Sequence, residues 1–257
     1  MSNEDLKSVA SKVFAIFNTF DAQNRHQRLS TISKRSGLPL TSTHRLVNEL
    51  VEQGALVRTL DGAYEIASKM WNLGILASLH ADLRELALPY MEDVYQISND
   101  AVQIGVLDGL RCLIVERIAG SRTLEVVSKP GARLPLHASG VGKVLLAYGG
   151  AELQEASFKT LERFTPTTIT KAEEIQSQLE KVRQTGFAVS VEELAAGASS
   201  IAVPIRGLGH RVVAALGIVS PAGSLDVNRM VPILRVTAQA LGRKLVASGI
   251  TDSISIR

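Results

Sequence analysis

The order of hydrophobic periods along these 257 residues predicts an α+β protein in two parts. Three observations carry that prediction. Residues 8–54 hold three apolar stripes at helical spacing, divided by Gly37-Leu38-Pro39 and ended by Gly54, and an Asp-Gly turn between two short strands follows them. Residues 101–117 and 187–219 read as strands joined by short turns. Helical segments at 170–185 and 227–246 are interleaved with these strands without repeating a βαβ unit. The second part is therefore expected to hold an antiparallel sheet with helices on one side.

Composition bounds the setting. The polar start MSNEDLKSVASK lacks the basic-then-apolar order of a secretion signal. No uncharged apolar run approaches the ~18 residues that span a bilayer. The single cysteine, Cys112, excludes an internal disulfide. A cytoplasmic protein with no membrane partner is expected. Net charge is only +3, but its distribution is uneven. Between Lys7 and Arg58 stand eight basic residues (Lys7, Lys12, Arg25, Arg28, Lys34, Arg35, Arg45, Arg58) and three acidic ones (Asp21, Glu49, Glu52). Phosphate binding needs such a local surface, although a solvated face would also show it.

The first helix is expected over 8–20, from Val9, Val13, Ile16, Phe17 and Phe20. A second, Thr31–Ser36, is expected to take Ser30 as its cap and to stop at Gly37. Pro39 prevents continuation. A third starts near Leu40-Thr41, packs Leu46, Val47, Leu50 and Val51, and ends at Gly54. Two short helices across a tight glycine-containing turn form a helix-turn-helix.

The outward residues of the third helix read Thr41, Ser42, Thr43, His44, Arg45 and Asn48. Hydroxyls, imidazole, guanidinium and amide are the groups that read base edges and phosphates in a major groove. A purely structural exposed face more often carries Glu, Lys and Ala. Arg45 is the candidate for a bidentate guanine contact or, failing that, a phosphate contact. Ser30, Thr31 and Lys34 of the preceding helix are counted with this face. The strands Ala55–Thr59 and Ala63–Ile66 then flank Leu60-Asp61-Gly62 as a wing, where Arg58 and Thr59 would meet phosphate.

Residues 6–75 resemble the winged helix-turn-helix of the IclR family of bacterial regulators. The resemblance is carried by Leu-Ser-Thr-Ile-Ser-Lys-Arg-Ser-Gly-Leu-Pro at 29–39, Thr43-His44-Arg45-Leu46 with Leu50, and Tyr64-Glu65-Ile66 ahead of Leu73-Gly74. It extends over roughly 6–248. It implies double-stranded operator DNA as a partner. The expected divisions are a DNA-binding domain at 6–67, a linker helix at 68–82 and an effector-binding domain at 83–250. Trp71, Ile75, Leu76 and Leu79 give the linker an apolar stripe, followed by a helix over Leu83–Ile97. That stripe serves either an internal core or dimerisation, and the resemblance implies a homo-oligomer, dimer or tetramer.

In the second part, strands are expected at Ala101–Leu107, Cys112–Arg117 and Thr123–Ser128. The run Leu134-Pro135-Leu136-His137-Ala138-Ser139-Gly140-Val141-Gly142-Lys143-Val144-Leu145-Leu146-Ala147 closely resembles the IclR effector-domain loop and the helix it enters. Helix N-termini offer free amides to carboxylates, and glycines allow close backbone approach. A phosphate-binding P-loop is excluded by spacing. His137 stands where its first glycine is required, and Val144 where Ser or Thr is required. Ser139 and Lys143 are one residue too far apart for a Ser-x-x-Lys nucleophile. Beyond it, a helix with a Thr170-x-x-Glu173 capping box runs to Thr185. Then come a strand Phe187–Val191, a loop over 195–200, strands Ile201–Ile205 and Val212–Val219, and a final helix Val227–Val246.

The resemblance implies a GAF-like domain. It places an effector pocket among Ser139-Gly140-Val141, Ser190, Ala198-Ser199-Ser200, and Gly217 with Val219. Ser190 and Val219 depart from relatives that carry an acid and a hydroxyl there. This argues against a very small keto acid and for a small organic acid with an apolar part, aromatic or sugar-derived. No cofactor, metal or catalytic residue is expected. His137 reads as a loop brace, and of Glu192-Glu193 at most one faces a pocket, since adjacent residues of an extended chain point apart. The expected function is a ligand-responsive repressor of a catabolic operon. An activator of the same kind is the alternative, and an enzyme with a DNA-binding appendage a remote one.

Overall fold

The computed structural model describes residues 8–21, 23–74, 78–120 and 128–250, which divide into two units between Ser78 and Leu79. In the first unit Ser8 caps α1 (Val9–Phe17), its hydroxyl accepting the Ser11 amide at 3.0 Å. This helix stops three residues short of the expected end, where the Thr19 hydroxyl donates to the Ile16 carbonyl at 2.8 Å. The second helix, α2 (Leu29–Ser36), corrects the expected start. Ser30 lies within its first turn, and Arg28 takes the cap position without a side-chain bond. The cause is tertiary. Gln27 exchanges two backbone bonds with Tyr64, at 3.1 and 2.8 Å, so the extended chain ends at Arg28. Gly37 closes α2 at φ 71°, a conformation that favours glycine. Pro39 then opens α3 (Leu40–Glu52).

The wing is β1 (Leu56–Arg58) against β2 (Tyr64–Ile66), with Leu56 opposite Ile66. Ile16, Ile32, Leu46, Val47, Leu56 and Tyr64 close one core beneath it. A short helix, α4 (Ser68–Gly74), follows. Ile75 and Leu76 of the expected linker stripe lie outside the described residues.

The second unit opens with α5 (Ser78–Ser98), which begins ahead of the expected Leu83. Its strands are β3 (Ala101–Asp108), β4 (Arg111–Ile118), β5 (Arg133–Pro135), β6 (Ala188–Val191), β7 (Ala198–Arg206) and β8 (Val212–Pro221). They form one antiparallel sheet in the order β5-β4-β3-β8-β7-β6. The remaining helices are α6 (Gly140–Tyr148), α7 (Ala151–Phe158), α8 (Ala172–Thr185) and α9 (Val227–Ala247).

Helices cover both faces of the sheet, not one as expected. Leu83, Ala87 and Met91 of α5 and Leu234, Ala238 and Leu241 of α9 pack with Ile104, Val203, Leu216 and Ile218. Val141, Val144 and Leu145 of α6 and Ile175 and Leu179 of α8 pack with Cys112, Ile114, Ala188, Ala202 and Ala215. The strands show why. Val212–Val219 is apolar at nearly every position, and a sheet buried on both faces needs such runs in place of alternation.

Two further expectations are corrected. Residues 198–200 begin β7 instead of forming a loop, because Ser199 and Ser200 pair with Val191 and Ser190. Helix α8 starts at Ala172 with Lys171 at its cap position, and the Thr170 box does not form. The Thr170 hydroxyl instead accepts Arg163 Nη2 at 3.1 Å. The expected strand at Thr123–Ser128 falls, apart from Ser128, outside the described residues.

Candidate functional site

In the first unit, Leu46, Val47 and Leu50 anchor α3 on its core, and this fixes what the helix shows to solvent. Thr41, His44, Arg45 and Asn48 are exposed, at i, i+3, i+4 and i+7, a single stripe. Ser42 is half-buried beside it. Thr43 is fully buried, and its hydroxyl donates to the Pro39 carbonyl at 3.0 Å. The outward reading of Thr43 is thereby corrected. Three residues back from Leu46, it belongs to the inward stripe of the same helix. Two bonds order the exposed stripe: Asn48 Nδ2 lies 3.3 Å from His44 Nε2, and Arg45 Nη1 lies 3.8 Å from a Glu49 carboxylate oxygen. Ser30, Thr31 and Lys34 of α2 are exposed as well.

On the wing, the Arg58 guanidinium is exposed and stands 5.9 Å from the centre of the Tyr64 ring. His26 clamps the hairpin, with Nε2 2.8 Å from Asp61 Oδ2 and Nδ1 2.9 Å from Glu65 Oε1. Both nitrogens donate to carboxylates only in the protonated ring, so Asp61 first and Glu65 second raise the imidazole pKa. The Asn24 amide, aided by Arg35, holds the Asp21 carboxyl down to about 2.

In the second unit, β3, β7 and β6 bring Gln103, Ser200 and Ser190 to the face that carries α6, and β8 brings Val219 there. Register sets Ser190 opposite Ser200 and Ser200 opposite Val219. The two-residue alternation that turns Ala188, Ala202 and Ala215 toward α6 turns these residues the same way. Together with Gln103, Ser128, Leu134, Ala138, Ser139, Leu194, Ala195, Ala198 and Ser199 they line a cavity of about 30 Å³. Three of the polar groups are already used. Ser190 Oγ donates to the Ala138 carbonyl at 2.9 Å, and Ser139 Oγ donates to Pro135 at 2.8 Å while accepting the Gly142 amide. Ser200 Oγ accepts the Gly140 amide at 3.2 Å. Two are not: Gln103 Oε1 and Ser128 Oγ are buried without partners among the described residues. Ser199 Oγ is also buried without a partner there, but strand alternation turns it to the opposite face of the sheet from Ser200. Among the described residues the lining contains no ionisable side chain.

Gly140, Val141 and Gly217 do not line this cavity, contrary to expectation. A Cβ on Gly140 would stand 2.8 Å from Ser200 Oγ, and one on Gly217 3.1 Å from Val141 Cγ1. These glycines admit the sheet to α6, not a ligand to the backbone. The amides expected to bind a carboxylate are likewise taken up by Ser139 and Ser200.

Behind the cavity, Lys143 Nζ meets Glu193 Oε1 at 2.5 Å with both side chains buried, and burial lowers the lysine pKa. Glu192 turns away at φ 54° and accepts the Gly197 amide at 2.7 Å. The adjacent carboxylates do diverge, and neither lines the cavity. His137 donates from Nε2 to the Glu162 carbonyl at 2.9 Å, and burial lowers its pKa.

The profile of the IclR helix-turn-helix domain matches residues 9–60, and that of the bacterial transcriptional regulator IclR C-terminal domain matches residues 76–243. The chain belongs to the IclR family. It is a DNA-binding transcriptional regulator of that family, α+β in fold. The HTH-type transcriptional regulator KipR of Bacillus subtilis is 32% identical over 209 residues, 80% of this chain and 83% of that protein. The HTH-type transcriptional repressor AllR of Escherichia coli is 29% identical over 237 residues, 90% of this chain and 88% of that protein. Among solved structures, an IclR homologue from Microbacterium hydrocarbonoxydans, complexed with 4-hydroxybenzoate, superposes with a TM-score of 0.87 at 34% identity. That alignment covers 93% of this chain and 100% of the homologue.

Within this IclR-family cavity, sequence reasoning missed Gln103, Ser128, Leu134, Ala138, Leu194 and Ala195. Gln103 had a legible signal. It is the one polar residue in the apolar run Ala101–Leu107, and a buried polar side chain requires a partner. Leu194 and Ala195 had none, because only the pairing of β6 with β7 folds their loop over the cavity.

Proposed function

We propose that this IclR-family regulator is a cytoplasmic repressor, dimeric or tetrameric, whose operator affinity changes when a small organic acid enters the cavity. In this reading residues 6–67 bind DNA, 68–82 connect, and 83–250 bind the effector. The observation that carries the effector assignment is that Gln103 Oε1 and Ser128 Oγ, both buried without partners among the described residues, belong to the lining of one space. Each unpartnered buried group costs about 1–3 kcal/mol, which a bound ligand recovers. The Ser128 hydroxyl can donate to a carboxylate, while Gln103 Oε1 asks for a donor. A hydroxy acid, aromatic or sugar-derived, supplies both. A space of about 30 Å³ holds about two waters. A ring therefore enters only as the Leu194-Ala195 wall withdraws.

Repression is supported by the name of the Escherichia coli relative, and the aromatic class by the ligand of the Microbacterium homologue. Exposed Trp71 and Leu73 on α4 support self-association. The reading as a regulator and not an enzyme is supported by His137, which bonds a backbone carbonyl and not a hydroxyl or thiol. Among the described residues no helix is long and apolar enough to cross a membrane.

The test is fluorescence anisotropy at fixed salt, using DNA from upstream of the protein's own gene. Arg45→Ala is expected to weaken specific binding by about 1–3 kcal/mol. 4-Hydroxybenzoate, or failing that a sugar acid, is expected to shift the wild-type affinity but not that of Gln103→Leu/Ser128→Ala. If a genome-wide selection recovers no fragment bound better than random DNA, the regulator reading fails.

A further inference from the structure

A groove in the second unit carries positive charge that no carboxylate among its described lining residues compensates. It lies between α9, the end of α8 and the turn after β7, and encloses about 840 Å³. Arg183, Arg206, Arg235 and Arg243 line it, and among the described residues no Asp or Glu does. Among the described residues none of the four forms an ion pair, whereas Arg35, Arg45, Arg84 and Arg133 each meet a carboxylate.

The guanidiniums are positioned all the same. Arg183 Nη1 donates to the Ala147 carbonyl at 3.1 Å, Arg206 Nη1 to the His210 carbonyl at 2.9 Å, and Arg235 Nη2 to the Thr185 carbonyl. Arg206 also lies 4.8 Å from the centre of the Tyr148 ring, and Arg235 5.8 Å from that of Phe187. A carbonyl or a ring immobilises a guanidinium without neutralising it, and most of its five N–H donors stay available. His210, whose carbonyl orients Arg206, is held at φ 59°, where L residues seldom sit and where strain often marks a ligand site. Between the arginines, Pro204, Ala238 and Val246 give the groove an apolar floor.

We propose that this groove is a second ligand site, separate from the cavity beside α6, for an organic phosphate with at least two negative charges and an apolar body. Four converging cations exceed what a monocarboxylate neutralises. Guanidinium forks match phosphate oxygens bidentately. The volume falls within the ~300–1,000 Å³ of small-molecule sites, and the floor accommodates the uncharged part of the ligand. Occupancy would give the regulator an input independent of its small-acid effector.

Isothermal calorimetry on the full chain at 150 mM salt tests this, with ATP and fructose 1,6-bisphosphate as organic probes, pyrophosphate as the inorganic one and adenosine as the uncharged one. At least one organic phosphate is expected to bind more tightly than pyrophosphate, and adenosine not measurably. Arg243 has no hydrogen-bond or ion-pair partner among the described residues, so Arg243→Glu should fold normally by circular dichroism and weaken binding at least tenfold. Arg243→Lys should recover part of the loss. The proposal is overturned if neither organic probe binds, if pyrophosphate binds as well as they do, or if Arg243→Glu leaves their binding unchanged. It is also overturned if Arg243→Glu instead lowers operator affinity or changes the assembly mass without any phosphate present. The groove would then belong to DNA or to a second copy of the chain.

Discussion

At the residue scale, two side chains make opposite use of burial. His26 is exposed and holds the wing through two carboxylates. Its pKa is raised above 6.5 by Asp61 and Glu65, so its contribution is complete below the unfolded value and is lost as pH rises through the folded one. The Asp61 carboxyl is shifted down by the Thr59 hydroxyl and by His26, so its contribution is lost only in strong acid. An NMR titration of His26 should therefore show a midpoint above 6.5, and the stability of the first unit should decline with rising pH across that midpoint. His26→Gln should flatten the profile. Lys143, in contrast, is buried against Glu193. Lys143→Met leaves a buried carboxylate alone and should cost about 3–5 kcal/mol in urea unfolding. Adding Glu193→Leu should recover most of it, because an apolar pair replaces a buried ion pair at little net cost.

At the element scale, α6 is the helix on which the cavity depends. Its cap is Ser139, and its first glycines are packing residues. A Cβ at Gly142 would lie 2.7 Å from the Leu136 backbone, which cannot give way as a flexible side chain can. Gly142→Ala should destabilise the second unit by about 1–3 kcal/mol, measured as a lower urea midpoint at constant slope. The helix-turn-helix was legible because α3 keeps a single period. Leu46, Val47 and Leu50 fix its buried side, and Thr41, His44, Arg45 and Asn48 follow on the other. The same period, carried back three residues, places Thr43 inside. The start of α2 was not legible, since Gln27 is held by Tyr64, far along the chain. Nor was the Thr170 box, whose hydroxyl is taken by Arg163.

At the scale of the whole molecule, each unit closes its own core, around Ile16, Ile32 and Leu46 in one and around the two faces of the sheet in the other. Calorimetry with increasing 4-hydroxybenzoate or sugar acid should raise the transition of the second unit by RT ln(1 + [L]/Kd), about 2.7 kcal/mol at a hundredfold excess over Kd. A shift confined to the first unit would sink the cavity assignment. Coupling to DNA further requires that the ligand favour one of two arrangements of the chain. The sequence by itself determined the elements whose causes are local: helical periods, the stop at Gly37, the Asp-Gly wing, the Ser139 loop, and through them the family. Only the tertiary structure decided which polar groups share a space. Gln103, Ser128 and Ser190 come from separate segments, and the four arginines of the groove come from α8, β7 and α9. The physical reason is that strand order and register are set by packing over the whole sheet. No local preference encodes which side chains a six-stranded antiparallel arrangement will turn toward one helix.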